Sequence, residues 1–126
     1  MLSKEDILGA LDLSAITVEV PEWGGEVKMA PMTGYERDTI DTDVANDKMA
    51  TINLRARVVG YCIVDDDGNR VFNNNELAAL GKKSSKVLNR LFEIARNLCG
   101  MTEEDVKELE GNSESATSDD SGSSSP

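Results

Sequence analysis

Residues 17–30, TVEVPEWGGEVKMA, carry the hairpin signature of an otherwise helical pattern. Gly24 and Gly25 can take the positive φ values that a two-residue reverse turn demands, and alternating residues flank them on both sides. Such a loop would pair Glu26 with Trp23, Val27 with Glu22, Lys28 with Pro21 and Met29 with Val20. Directly opposed residues share a face. Val18, Val20, Val27 and Met29 then line one side, with Glu19, Trp23, Glu26 and Lys28 on the other. Pro21 has no N–H to give a ladder, so its strand belongs at an edge. A lone hairpin is marginal in water, so its apolar face calls for helices laid against it.

Working outward, Ser3 with Asp6 three positions on marks a helix start, and Ile7, Leu8 and Leu11 form a short apolar stripe. Thr33 and Glu36 make a capping box for a helix from Gly34 towards Ala45, with Tyr35, Ile40 and Val44 as its large apolar residues. Met49–Val64 is the most apolar segment. Ile52, Ala56, Val59 and Ile63 recur there at helical spacing, which predicts a buried central helix, although alternation over 54–58 leaves a strand open. Asp65–Asn69 reads as a turn, and Asn73 with Glu76 opens a short helix that Gly81 closes. Ser84 or Ser85 caps the clearest amphipathic helix, whose face is Val87, Leu88, Leu91, Phe92, Ile94, Ala95, Leu98 and Cys99. Thr102 caps a final short helix. From Gly111, GNSESATSDDSGSSSP is almost free of apolar residues and reads as a disordered tail. The expected fold class is α+β: an N-terminal β-hairpin packed on a small, mostly α-helical bundle, with a domain over 1–110 and a disordered Ser/Asp-rich tail over 111–126.

The net charge of −11 is unevenly spread. Residues 1–48 hold 11 acids and 4 bases, 49–99 hold 5 acids and 8 bases, and 100–126 hold 8 acids and 1 base, giving −7, +3 and −7. That balance argues against nucleic acid as a partner, because phosphate binding rests on Lys and Arg. No apolar run approaches the ~18 residues of a membrane span, and the acidic N-terminus is unlike a secretion signal. Membrane is therefore not an expected partner either. With no histidine there is no Ser-His-Asp or Cys-His arrangement and no imidazole base, and no phosphate-binding glycine motif occurs. The expectation is a protein that is not an enzyme and uses no cofactor. Cys62 and Cys99 form no C-x-x-C and sit in apolar stretches, so they read as reduced core thiols rather than a disulfide.

Asp65, Asp67, Asn69 and Glu76 have the spacing of a calcium loop, but Arg70 stands where that loop needs glycine, so a plain turn and no metal are expected. The candidate partner-binding residues are Trp23 with the turn glycines Gly24 and Gly25, and the basic group Lys82, Lys83, Lys86 and Arg90. Against each stands a plainer role: Trp23 covering its neighbours or a helix, the cations forming a solvated face.

Five pieces in one order carry a resemblance: MLSKEDIL at 1–8, VEVPEWGGEV at 18–27, MTGYERD at 32–38, NLRARVVGYCIVDDDGNRVF at 53–72, and ELAALGKKSSKVLNRLFEIARNLCGMTEEDV at 76–106. Over about residues 1–110 the chain resembles the short form of the tail assembly chaperones of long-tailed, siphovirus-type bacteriophages. The segment Asp41–Met49 departs from the usual family pattern. The resemblance implies a non-enzymatic protein of the host bacterial cytoplasm, absent from the finished virion. Its implied partners are the tape measure protein and the major tail tube protein, with self-association left open. It also implies a frameshifted longer product for which the Ser-rich tail would be the junction. The alternative, suggested by the −11 charge, is an acidic DNA mimic that blocks a nucleic-acid-binding protein.

Overall fold

The computed structural model describes residues 1–118. Strand β1 (Ile16–Val20) and strand β2 (Gly25–Met29) form the antiparallel hairpin, and β1 lies at the edge of the sheet, with Pro21 just beyond its end. The turn is not the two-residue Gly24-Gly25 loop. Four residues connect the strands: Pro21–Trp23 make a 3₁₀ turn, and Gly24, at φ 81°, donates its N–H to the Pro21 carbonyl at 3.0 Å. Gly25 already belongs to β2, and the register pairs Val20 with Gly25, Val18 with Val27 and Ile16 with Met29. Proline explains the correction. Its fixed φ suits the first position of a helical turn, and its missing N–H ends the ladder at Val20. The slip is four residues, an even number, so the residues that remain in the strands keep their faces; Trp23, expected on the polar face, instead leaves the strand in the 3₁₀ turn and packs against the core cluster. Val18, Val20 and Met29 are buried and Val27 half-buried, as the alternation predicts.

A third strand completes the sheet. β3 (Ile63–Val64) pairs antiparallel with β2, Met29 opposite Ile63, and the Ala30 N–H extends the contact to the Cys62 carbonyl at 2.8 Å. Two residues leave no periodic trace in sequence, which is why only a hairpin was legible.

Helix α1 (Lys4–Gly9) starts at the expected Ser3–Asp6 capping box, and helix α2 (Gly34–Asn46) at the Thr33–Glu36 box. In α2, Ile40 and Val44 are buried while Tyr35 is exposed, because five residues at ~100° each carry Tyr35 some 140° from the Ile40 stripe. Met49–Val64 is not one helix. A 3₁₀ turn (Lys48–Thr51) comes first, held by the Asp47 carboxylate accepting the Met49 N–H at 2.9 Å; helix α3 (Leu54–Cys62) follows and then β3. Met49 and Ile52 consequently lie exposed, and burial begins at Leu54. Asn53 marks the break: its side-chain amide donates to the Leu77 carbonyl at 3.0 Å and ties this corner to helix α4 (Leu77–Leu80).

Helix α3 is the centre of the core, with seven of its nine residues buried. It packs on α4 and on helix α5 (Ser85–Leu98), which presents Val87, Leu88, Leu91, Phe92 and Ala95 to it and is capped by Ser84. A Cβ at Gly60 would fall 2.2 Å from Leu77 Cδ2, and Leu77 is itself buried, so glycine sets the α3–α4 separation. Gly60→Val should therefore cost about 1–3 kcal/mol through overpacking. Urea titration checks this; a variant as stable as wild type would mean that the two helices are further apart.

Helix α6 (Glu103–Ser118) starts from a Thr102–Asp105 capping pair and packs on α2, with Met101 and Leu109 buried. It is longer than the short helix expected. Gly111 does not take a left-handed φ, so it provides no C-cap, and nothing in the following residues before Ser118 is a proline. Residues 119–126 of the Ser/Asp-rich tail lie outside the described residues.

Candidate functional site

The hairpin turn is fastened to α5 by its own acid. Arg90 donates two hydrogen bonds to the Glu22 carboxylate, at 2.7 and 2.9 Å, with both side chains about two-fifths exposed. This brings the two predicted groups together, since Trp23 follows Glu22 and Lys86 lies one turn before Arg90. Trp23 is half-buried and packs against the core cluster, so part of its ring serves the fold. Gly24 and Gly25 are exposed with open space around them. Arg90 is committed to Glu22 and is not a free cation.

The Arg90 hydrogen bonds, with a smaller contribution from the Lys86 charge, hold the Glu22 carboxyl down at about 2 from its ordinary 4.5. A depressed folded-state value means that the pair's contribution is fully present above about 4.5 and is lost as the pH falls towards 2. The melting temperature of the wild type should thus fall more steeply across that acid range than that of Glu22→Gln, and parallel curves would contradict the pairing.

The remaining lysines separate. Lys83 and Lys86 line a cleft of about 460 Å³ together with Arg55, Ile52, Asn53 and Leu88, where α3 begins beside the start of α5. Arg55 sits over the Phe92 ring, 5.7 Å from its centroid, and was not among the predicted cations. It was hidden inside an apolar segment whose alternation suggested nothing about its direction. Lys82 is exposed and does not line this cleft.

The larger feature lies at the N-terminus. Helix α1 buries none of its residues. Leu2, Ile7, Leu8 and Leu11 are 70%, 58%, 78% and 97% exposed, and Leu13 and Ile16 continue the run to the edge strand. Single exposed leucines are ordinary; here Leu2, Ile7, Leu8 and Leu11 stand exposed within ten positions of one another, while Leu13 and Ile16 are more than half covered. The sequence showed the Ile7–Leu8–Leu11 stripe; its place outside the core was the missing part. One signal was available. A six-residue helix cannot stand on its own propensity and needs packing from somewhere.

The Asp65 loop is the plain turn expected. Its carboxylate accepts the N–H groups of Asp67 and Asn69, both at 2.9 Å, Gly68 takes φ 86°, and Glu76 is bound to the Asn73 N–H as part of a helix cap. Among the described residues no group of three or more Cys, Asp or Glu side chains could hold a metal ion, and no helix is long and apolar enough to cross a membrane.

No protein-family model matches the chain, and no curated protein matches it. Among solved structures it is similar to the bacteriophage HK97 tail assembly chaperone, with a TM-score of 0.55 and 23% identity over 68% of this chain and 85% of that one. That likeness is one of fold: the α+β arrangement of a small antiparallel sheet against helices.

Proposed function

We propose that this chain is a phage tail assembly chaperone, working by reversible protein–protein binding and carrying out no catalysis. The observation that carries this reading is the fold it has in common with the HK97 tail assembly chaperone across most of that protein. The exposed apolar residues from Leu2 to Leu11 support it, since a chaperone must offer apolar surface to a client while remaining soluble. The charge of −11 supplies the solubility.

In this reading the client is the tape measure protein, a long helical chain that aggregates when uncovered. The N-terminal apolar segment takes an amphipathic face of that client, and the hairpin turn at Trp23, Gly24 and Gly25 and the cations Lys82, Lys83 and Lys86 add further partner contacts, including those that recruit tail tube subunits. Arg90 holds the hairpin turn in place. The protein acts in the cytoplasm of the infected bacterium and is left out of the virion. Residues 111–126 form the junction to a longer, frameshifted product, which would raise the local concentration of a second binding module.

The experiment is expression of the native gene with its downstream DNA, tagged at Met1, followed by mass spectrometry of everything that co-purifies with the chain. Recovery of a long helical tail protein and a minority product extended beyond Pro126 is the expected result. Recovery of the 126-residue chain with host DNA-binding proteins, displaced by added DNA, would replace this reading with the acidic DNA mimic. Some of the 24 acids are paired within the chain: Asp43 with Arg57, Asp41 with Arg37, Glu93 with Arg96 and Asp66 with Lys28.

A further inference from the structure

Cys62 and Cys99 stand 37 positions apart in sequence and 3.7 Å apart in space, Sγ to Sγ. Cys62 is the last residue of α3 and is fully buried; Cys99 caps α5 and is half-buried. A crevice of about 400 Å³ leads in from the surface between Leu13, Met32, Thr33, Gly34 and Leu98, and Cys99 forms part of its wall. The Met32 N–H donates to Cys99 Sγ at 3.3 Å, a contact suited to a sulfur that carries negative charge. Beyond Cys99 the chain leaves the helix at Gly100, φ 67°, so this thiol sits at a helix end where small displacements are tolerated. A disulfide needs the sulfurs at ~2.05 Å, some 1.7 Å closer than they stand.

We propose that Cys62 and Cys99 are an oxidation site, which a hydroperoxide converts to an intramolecular disulfide joining the C-terminal ends of α3 and α5. The order of events follows from exposure. Cys99 faces the crevice, and the hydrogen bond from the Cys62 thiol, then the Met32 N–H and the charge of Arg37, hold it below the ordinary cysteine value; burial and the nearby Glu36 oppose them. The same bond to Cys99, and then burial, push Cys62 up. The Cys99 thiolate attacks one peroxide oxygen, the O–O bond breaks, and the leaving oxygen takes a proton to become water or an alcohol. Cys99 is then a sulfenic acid. Cys62 sulfur attacks it, the S–O bond breaks, and the departing hydroxide takes the Cys62 proton as a second water. Two thiols have each lost one electron, and the two peroxide oxygens have gained them.

The proposal is independent of the chaperone reading, because its readout is chemical. Reduced full-length protein is exposed to hydrogen peroxide, then examined by intact mass, maleimide labelling and tryptic digestion. The expected result is a monomer lighter by two hydrogen atoms, with peptide 58–70 linked to peptide 97–107. Its melting temperature should rise by at least ~5 °C and return on reduction with dithiothreitol. In the unoxidised wild type, iodoacetamide should label Cys99 at least ~10-fold faster than Cys62, as exposure and thiolate character dictate. Cys62→Ser should leave Cys99 as a sulfenic or sulfinic acid with no cross-link. Four outcomes would overturn the proposal: two unreacted thiols, a disulfide between two chains, oxygen added to Cys99 with Cys62 still free in the wild type, or faster labelling of Cys62. The wild-type measurements stand even where the serine variant does not fold.

Discussion

Leu91→Ala is expected to cost about 3–5 kcal/mol of stability. Leu91 is fully buried on the face of α5 that meets α3, and α3 is itself buried along most of its length, so neither helix can close over the space left behind. The substitution removes apolar burial and leaves a cavity. A domain of this size has ~5–15 kcal/mol in total, so the variant should approach the unfolding threshold at 37 °C. Urea titration would show a midpoint lower by on the order of 2 M with an unchanged slope, since the surface exposed on unfolding stays nearly the same. Leu91→Met keeps the volume and should lose less than ~1.5 kcal/mol. A cost below ~1 kcal/mol for the alanine variant would mean that α5 does not seat Leu91 against α3.

The second large effect concerns binding and leaves stability alone. If the proposed role holds, the double substitution Leu8→Glu with Leu11→Glu should weaken binding to a tape measure protein by about 100-fold or more, because two leucine side chains buried at an interface are worth ~3–6 kcal/mol together. Both residues are exposed in the free chain and neither contributes to the core, so the melting temperature should stay within ~1 °C of wild type. Titration calorimetry against a soluble fragment of the client measures the first quantity, and a thermal melt the second. Equal affinity in the double variant would remove the N-terminal segment from the client interface. Charge neutralisation at Lys82, Lys83 and Lys86 should act differently, slowing association mainly at low salt.

The site was legible in fragments. Trp23 and the cations Lys86 and Arg90 were marked by residue type, but the two prongs from Arg90 to Glu22 span 68 positions, and nothing near either residue announces the other. The Ile7–Leu8–Leu11 stripe was visible as helical spacing, while its exposure was not, because periodicity states which residues share a face and is silent on what that face meets. The two cysteines show the same limit. Each reads as a small core residue, and only the approach of the α3 and α5 ends makes them a pair.

Sequence alone determined whatever is decided within about four residues. The caps at Ser3, Thr33, Asn73 and Thr102 each satisfy orphan N–H groups two or three positions on, and the faces of β1, β2 and α5 follow from side-chain direction along a regular backbone. The tertiary structure decided the rest. Pro21 moved the hairpin register through its turn, β3 arose because β2 had an open edge beside the end of α3, and Asn53 broke the central apolar segment by bonding to Leu77. The turn at Pro21 is itself local, but for β3 and Asn53 the deciding partner is distant in the chain and is selected by packing and hydrogen-bond satisfaction across the whole domain, which no local pattern encodes.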